Sequence, residues 1–512
     1  MGKYKMNWKD LLSTNSQRPR SSRKTMENMK IFEENSYMYT DLRSDFERDY
    51  HRILSSPSFR RLQDKTQVFP LEKNDFIRTR LTHSIEVSSF GKSLAQSIAD
   101  EIIKNRLDEE FTVSDATAIT NILASAGLLH DIGNPPFGHF GEDTIRDWFS
   151  KNMNRIEMKN ENGNLKKLGE LLDNQMKNDL LFFEGNAQAI RVVSKLHFLV
   201  DEKGMNLTFA LLNTLIKYPV DSLNINKKSG DIKDKKMGYY LAEEELFREI
   251  VESTGTYDSK NNTVYRHPLT FILEAADDIA YCTADIEDGM KKGFINFEKF
   301  IKTIKEEVEE GEKIFEKLIG YRKYAEERGY DSPSLYAVQR WVVSVQGMFI
   351  RNVVETFIKN YESIMNGEFR TDLFEDTESG KLIKTLKKIA FKEVFESKAI
   401  LKMEITANNI LNYFLDNFVK SILYWDTPYE KELTGIDKKY IAILSENQRH
   451  IYKHYSNLYN EKLEKEHLNE NERKKKDYNY RLYLRLLLVT DYLSGMTDSF
   501  IKTLYQELVG ID

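Results

Sequence analysis

Three of the nine histidines, His83, His130 and His139, lie close together in the chain, and one is followed directly by a carboxylate: Leu129-His130-Asp131-Ile132-Gly133. Imidazole with carboxylate suits a hard or borderline divalent ion such as Mn²⁺, Mg²⁺, Fe²⁺ or Co²⁺ better than a thiolate-type zinc site. Adjacent residues inside a helix point about 100° apart, so His130 and Asp131 reach one ion together only at a helix end. Gly133 and Pro135-Pro136 supply that end. A capping Asp beside a packed His has the same local sequence, so this pair alone does not define a site.

The segment from His267 to Met290 adds a second source of ligands. With Ile272 at zero on a helical wheel, Ala275, Ala276, Ile279, Thr283, Ile286 and Met290 fall within about 60° of it, an unbroken core stripe. The opposite face carries Glu274, Asp277, Tyr281, Asp285 and Asp288. By default an acidic face of this kind is solvated. A helix that presents a metal ligand needs the same arrangement, and a cation relieves the repulsion among its carboxylates. Periodicity does not choose between Asp277 and Asp278. Between the two segments lies Asn134-Pro-Pro-Phe-Gly-His139-Phe-Gly-Glu142, a tight loop that presents His139 and Glu142. A histidine oriented by a carboxylate is the usual general acid/base pair.

These residues need helices to hold them, and the composition supplies helices. Of 512 residues only nine are Pro and 24 are Gly, with 30% charged and 40% hydrophobic residues, so a disordered chain is excluded. Apolar spacing predicts a helix over 82–104 (Ile85, Phe90, Leu94, Ile98, Ile102) and another over 115–130. Further helical patterns cover 141–150, 186–199, 206–217 and most of the chain after 300, with a polar loop at 221–236. Lys65 to Phe69 alternates and reads as a short strand. The expected fold is all-α with at most short β elements. Its expected parts are an arm and first helices (1–58), a catalytic core (59–295) and a C-terminal helical region (296–512).

The net charge of −6 argues against nucleic-acid binding through bulk charge, and only local basic stretches such as 18–24 remain for it. The first forty residues read as a flexible arm. A single cysteine, Cys282, forms no internal disulfide, and no stretch is long and apolar enough for a signal peptide or a membrane span. The expectation is a cytoplasmic protein without a membrane partner. His450 and His454 have helical metal-site spacing but lack the glutamate that a zinc-protease motif carries, and read as a surface pair.

Longer motifs carry more information. They are Phe59-Arg-Arg-Leu62, Lys65-Thr-Gln-Val-Phe69, Thr79-Arg-Leu-Thr-His-Ser-Ile-Glu-Val87 and the run from His130 to Glu142. Phe183-Glu-Gly-Asn-Ala-Gln188, Glu274-Ala-Ala-Asp-Asp-Ile-Ala-Tyr281 and Asp491-Tyr-Leu-Ser-Gly-Met-Thr-Asp498 complete the set. Together they closely resemble the bacterial deoxyguanosine triphosphate triphosphohydrolases, which are HD-type metal phosphohydrolases. The resemblance runs nearly end to end and thins between 295 and 480.

It implies one divalent ion per subunit, Mn²⁺ or Mg²⁺ with Fe²⁺ or Co²⁺ as substitutes, held by His83, His130, Asp131 and Asp277. Asp277 is implied over Asp278 because the family's metal Asp is followed at +4 by a Tyr and at +8 by an Asp, here Tyr281 and Asp285, both near the sugar. By the same resemblance Gln67 and Val68 lie beside the deoxyribose, and Arg80, Lys217 and Lys236 hold the triphosphate. His139 and Glu142 become the acid/base pair. The implied reaction is hydrolysis of dGTP to deoxyguanosine and triphosphate by attack of a metal-bound water on the α-phosphorus. Implied partners are dGTP, further copies of the chain (a tetramer or hexamer), and single-stranded DNA or a dNTP as effector. The family's guanine-reading positions have no clear match in 400–450, so a dNTP triphosphohydrolase of broader base range, activated by dNTP effectors, is the alternative. Alarmone hydrolysis is disfavoured, because Gly133-Asn134-Pro135 stand where those enzymes resemble one another in carrying Glu-Asp.

Overall fold

The computed structural model describes residues 4–18, 41–69, 77–197, 202–307 and 311–511. Among them the chain forms 22 α-helices and two small antiparallel hairpins, Glu157–Lys159 with Leu165–Lys167 and Tyr257–Asp258 with Thr263–Val264. The all-α expectation holds. The strand expected at 65–69 is reduced to one bridge between Thr66 and Thr79, because the Lys65 N–H donates to the Leu62 carbonyl and the Thr66 N–H to Asp498 instead of to a ladder.

Three helices form the frame. The first, Arg80–Lys104, starts at Thr79, whose side chain accepts from the Thr82 N–H in a reciprocal capping box. Leu94, Ile98 and Ile102 are fully buried as the spacing predicts, but Ile85 is 51% exposed, and Val87, Gly91 and Ala95 take its place inside. The reason is the neighbour. The second helix, Val113–Leu129, approaches so closely that a Cβ on Gly127 would sit 2.5 Å from the Ser88 backbone nitrogen. The contact face therefore uses small residues, and Ser88 satisfies its hydroxyl on the Ala124 carbonyl at 2.7 Å.

The third helix, Pro268–Lys291, begins with proline at its first turn and lays Ile272, Ala276, Ile279 and Ile286 into the core. Its acidic face departs from the default. Asp285 and Asp288 are each 1% exposed, so that face is interior and looks onto the first helix and its neighbours.

Two hydrophobic clusters build the body, and each draws on residues before and after 295. One runs from Met6 to Ile400 around the three frame helices. The other joins Trp148, Phe149 and Phe183 to Phe414, Phe418, Leu482 and Leu487. Residues 4–18 do not behave as the flexible arm expected from their polarity. Met6, Trp8 and Leu11 are buried, and the Trp8 indole N–H donates to the Tyr361 hydroxyl at 2.7 Å. Most of the basic stretch at 18–24 (residues 19–24) lies outside the described residues. His450 lies on the surface as expected, with Glu202 at 3.7 Å.

Candidate metal centre and active site

The frame helices bring four side chains from three places in the sequence to one point. His83 stands in the first turn of Arg80–Lys104, His130 caps the end of Val113–Leu129, and Asp131 follows on the turn. Asp277 lies midway along Pro268–Lys291. His83 Nε2 is 3.2 Å from Asp277 Oδ1. His130 Nε2 is 3.5 Å from that oxygen and 3.6 Å from Asp131 Oδ2. The ligand atoms of His83, His130 and Asp131 all lie within 4.8 Å of one another.

The donor chemistry fits a cation. His130 Nδ1 lies 2.8 Å from the Gly127 carbonyl, which can only accept, so that nitrogen carries the hydrogen. Burial holds the ring below its ordinary pKa and hence neutral. The remaining atom, Nε2, is a bare lone pair, buried, without a hydrogen bond and facing carboxylates. A metal-ligating histidine fixed by a backbone carbonyl has this arrangement. At Asp277, burial works to raise the carboxyl, but the neighbouring His130 ring, the Lys217 ammonium and the His83 bond outweigh it and hold it below the usual carboxylate range.

Asp278, the neighbour that periodicity left equivalent, points elsewhere. Its Oδ1 accepts from Lys387 at 2.6 Å, and burial pushes its carboxyl up to about 6. The rest of the acidic face also has interior partners. Glu274 pairs with Arg266, and Asp288 accepts from Arg78 at 2.8 Å. Asp285 is the exception. Its polar neighbour along the helix is the Tyr281 hydroxyl, and burial pushes it up to about 7.

Cations surround the centre. Arg80 pairs with Asp131, and Lys217 Nζ lies 3.3 Å from Asp277 Oδ2. Lys236 Nζ lies 2.9 Å from Glu184 Oε2, one step further out. His139 occupies the rim, its side chain 77% exposed, with Nδ1 3.2 Å from Glu142 Oε2. That bond raises the His139 pKa above its ordinary value. Glu142 is buried and well anchored: its Oε1 accepts from the Gly185 N–H at 2.8 Å and its Oε2 from Arg146 at 3.2 Å. Only glycine fits at 185, since a Cβ there would lie 2.1 Å from Asn134 Oδ1 and 2.6 Å from Glu142 Oε1.

Tyr281 and Asp285 continue the Asp277 face along the same helix. Val68 is buried, and Gln67 has a buried, unbonded Oε1; both adjoin the start of Arg80–Lys104 through the Thr66–Thr79 bridge. Sequence reasoning assigned no role to Glu184, Arg146 or Asn134. Arg146 joins the Glu142 and Glu184 carboxylates, and Asn134 donates to Asp131 Oδ1 at 2.7 Å. Glu184 and Asn134 stand inside recognisable motifs, but Arg146 carries no motif signal; only its i+4 spacing from Glu142 pointed to it.

A fold of packed helices with a buried His/Asp cluster at the meeting of three of them is the architecture of an HD domain, and residues 80–202 match the HD domain family. Over nearly the whole length the chain is 46% identical to a deoxyguanosinetriphosphate triphosphohydrolase-like protein of Listeria innocua serovar 6a, across 473 residues covering 92% of this chain and 95% of that protein. The Listeria monocytogenes serovar 1/2a counterpart matches at the same identity and coverage. A deoxyguanosinetriphosphate triphosphohydrolase of Yersinia enterocolitica is 32% identical over 494 residues, 91% of this chain and 94% of that protein. The chain belongs to the deoxyguanosinetriphosphate triphosphohydrolase family of HD-domain hydrolases. Among the described residues no helix is long and apolar enough to cross a membrane.

Proposed function

We propose that the chain hydrolyses dGTP to deoxyguanosine and inorganic triphosphate, with a divalent ion, Mn²⁺ or Mg²⁺, held by His83, His130, Asp131 and Asp277. The observation that carries this reading is the bare, buried His130 Nε2 directed at two carboxylates, with Arg80 and Lys217 each seated on one of those carboxylates. A divalent ion bound there supplies charge to offset the phosphates and activates water as a nucleophile.

The chain's own residues supply the rest. Arg80, Lys217 and Lys236 bind the triphosphate; a guanidinium and two ammonium groups match its oxygens through charge-assisted hydrogen bonds. Their carboxylate partners in the free protein are exchanged for phosphate. Water attacks the α-phosphorus, a P–O bond forms, and the bond to the deoxynucleoside 5′-oxygen breaks. His139, kept protonated by Glu142, gives its proton to that leaving oxygen. Tyr281, Asp285, Gln67 and Val68 enclose the deoxyribose and leave an added 2′-hydroxyl without a partner. An unpaired buried hydroxyl costs about 1–3 kcal/mol.

Two measurements test this. In ¹⁸O water the label should enter triphosphate; label in deoxyguanosine means C–O cleavage and refutes the mechanism. Values of kcat/KM across the four dNTPs and GTP test the specificity. GTP turned over as fast as dGTP breaks the sugar reading, whereas equal rates on dATP and dGTP break only the guanine preference. The same reading expects a homo-oligomer, checked by light scattering.

A further inference from the structure

The turn from Asp131 to Gly138 separates the two chemical halves of the site, the His130–Asp131 pair and His139. It is fixed from behind by residues far away in sequence. Lys65, 4% exposed, donates from Nζ to the Asn134 carbonyl at 2.6 Å and to the Ser494 carbonyl at 2.7 Å. Asp498, 1% exposed, accepts from the Phe137 N–H on Oδ1 and from the Thr66 N–H on Oδ2, each at 3.0 Å. Asn134, whose carbonyl Lys65 holds, reaches forward to Asp131.

Phe137 is the critical link. Its φ is +63°, the left-handed region that a bulky side chain rarely enters, and it caps the helix Gly138–Asn152 that carries His139 in its first turn. The cap makes no side-chain hydrogen bond to that helix. A buried backbone N–H without a partner is unfavourable, so Asp498 stabilises the strained turn by accepting from it.

We propose that Asp498 and Lys65 are positioning residues: together they set where His139 stands relative to His130 and Asp131, so the Asp498 carboxylate and the Ser494 carbonyl, both from the C-terminal part of the chain, act in the placement of the active-site turn. Both are buried behind the turn. The inference rests on the reading of His139 given above. It also assigns the C-terminal helices a route to the chemistry, since a shift of Ser494 or Asp498 moves the turn directly.

The test compares Asp498→Ala and Lys65→Met with Thr497→Ala in the full chain. Thr497 caps the same C-terminal helix, accepting from the Phe500 N–H, and touches no residue of the 131–138 turn. Misplacement of a reacting group by about 1 Å lowers turnover by up to about 100-fold. Asp498→Ala and Lys65→Met should therefore lose about 10- to 100-fold in kcat, with KM and metal content little changed. Thr497→Ala should lower Tm and keep its kcat. Equal losses of kcat in Thr497→Ala and Asp498→Ala, or a fall that tracks lost metal, overturn the proposal. If Asp498→Ala does not fold, Asp498→Asn keeps one oxygen for the Phe137 N–H and should show a smaller loss of the same kind; unchanged kcat there, with unchanged kcat in Lys65→Met, also overturns it.

If the wild-type chain releases no triphosphate from any dNTP, the proposed activity fails while the brace remains testable. The ring titration of His139, followed by NMR, should then move down toward the ordinary imidazole value in Asp498→Ala as contact with Glu142 loosens. An unmoved titration overturns the brace itself.

Discussion

Among the described residues, the buried charges around Arg191 and those around Asp277 are built on opposite plans. Around Arg191 the network is closed. Its Nε and Nη2 meet Asp491 at 2.8 and 2.7 Å, its Nη1 meets Glu243 at 2.8 Å, and Gln188 donates to Asp491 at 2.9 Å. Only one oxygen of Glu243 and the Gln188 carbonyl oxygen are left over. Around Asp277 the network is open. His83 Nδ1, His130 Nε2 and Arg80 Nε are buried without hydrogen bonds. Buried polar atoms are almost always paired, so a concentration of unpaired ones marks a place where something else binds. Burial and charge alone do not distinguish a site from a brace; a bare imidazole lone pair facing carboxylates, as at His130 Nε2, does.

The largest expected effect comes from the open cluster. His130→Ala should lose its metal by elemental analysis while its helical circular dichroism is retained, and full occupancy would remove His130 from the ligand set. His139→Ala should keep its metal and its substrate affinity but lose about 10²–10⁴-fold in kcat. The closed cluster should answer differently. Arg191→Met leaves the buried Asp491 without its cation and Glu243 with Lys195 alone, and should destabilise the fold by about 3–5 kcal/mol in urea unfolding. Metal per folded chain should stay constant, and metal loss in that variant would mean the two clusters are one unit.

A third expectation concerns pH. Asp179 is fully buried, accepts from Ser222 and the Leu241 N–H at 2.6 and 2.8 Å and from Tyr483, and burial pushes it up to about 7. A carboxyl raised above its unfolded value of about 3.9 binds a proton in the folded state that the unfolded state releases. Its contribution is therefore present below about pH 4 and is lost as pH rises toward 7. The loss is on the order of a few kcal/mol. Asp179→Asn should flatten Tm against pH across that window, and an unchanged slope would place the titration on another group.

The smallest effect separates two neighbours. Asp278→Asn removes a partly exposed pair with Lys387, worth about 1 kcal/mol or less, and should leave metal content untouched. Asp277→Asn should lose the metal. Equal metal loss in both would show that the helix, and not one carboxylate, was disturbed.

Much of the architecture was written locally. The cap at Thr79, the end at Gly133, the core stripe through Ile272 and Ile279 and the residue types of the centre follow from spacing and side-chain chemistry within single segments. The same spacing gave Asp277 and Asp278 equal claims, counted the exposed Ile85 among the inward positions, and made the acidic face of Pro268–Lys291 look solvated. Periodicity reports which residues share a face, and nothing about what stands opposite that face. His83 meets Asp277 across 194 residues of sequence, and Thr66 meets Asp498 across 432. Helix type and ligand chemistry are short-range properties, settled by neighbours a few residues away. Which carboxylate turns toward the histidines, and which stays sealed by an arginine or a lysine, was decided by helix packing that no single segment encodes.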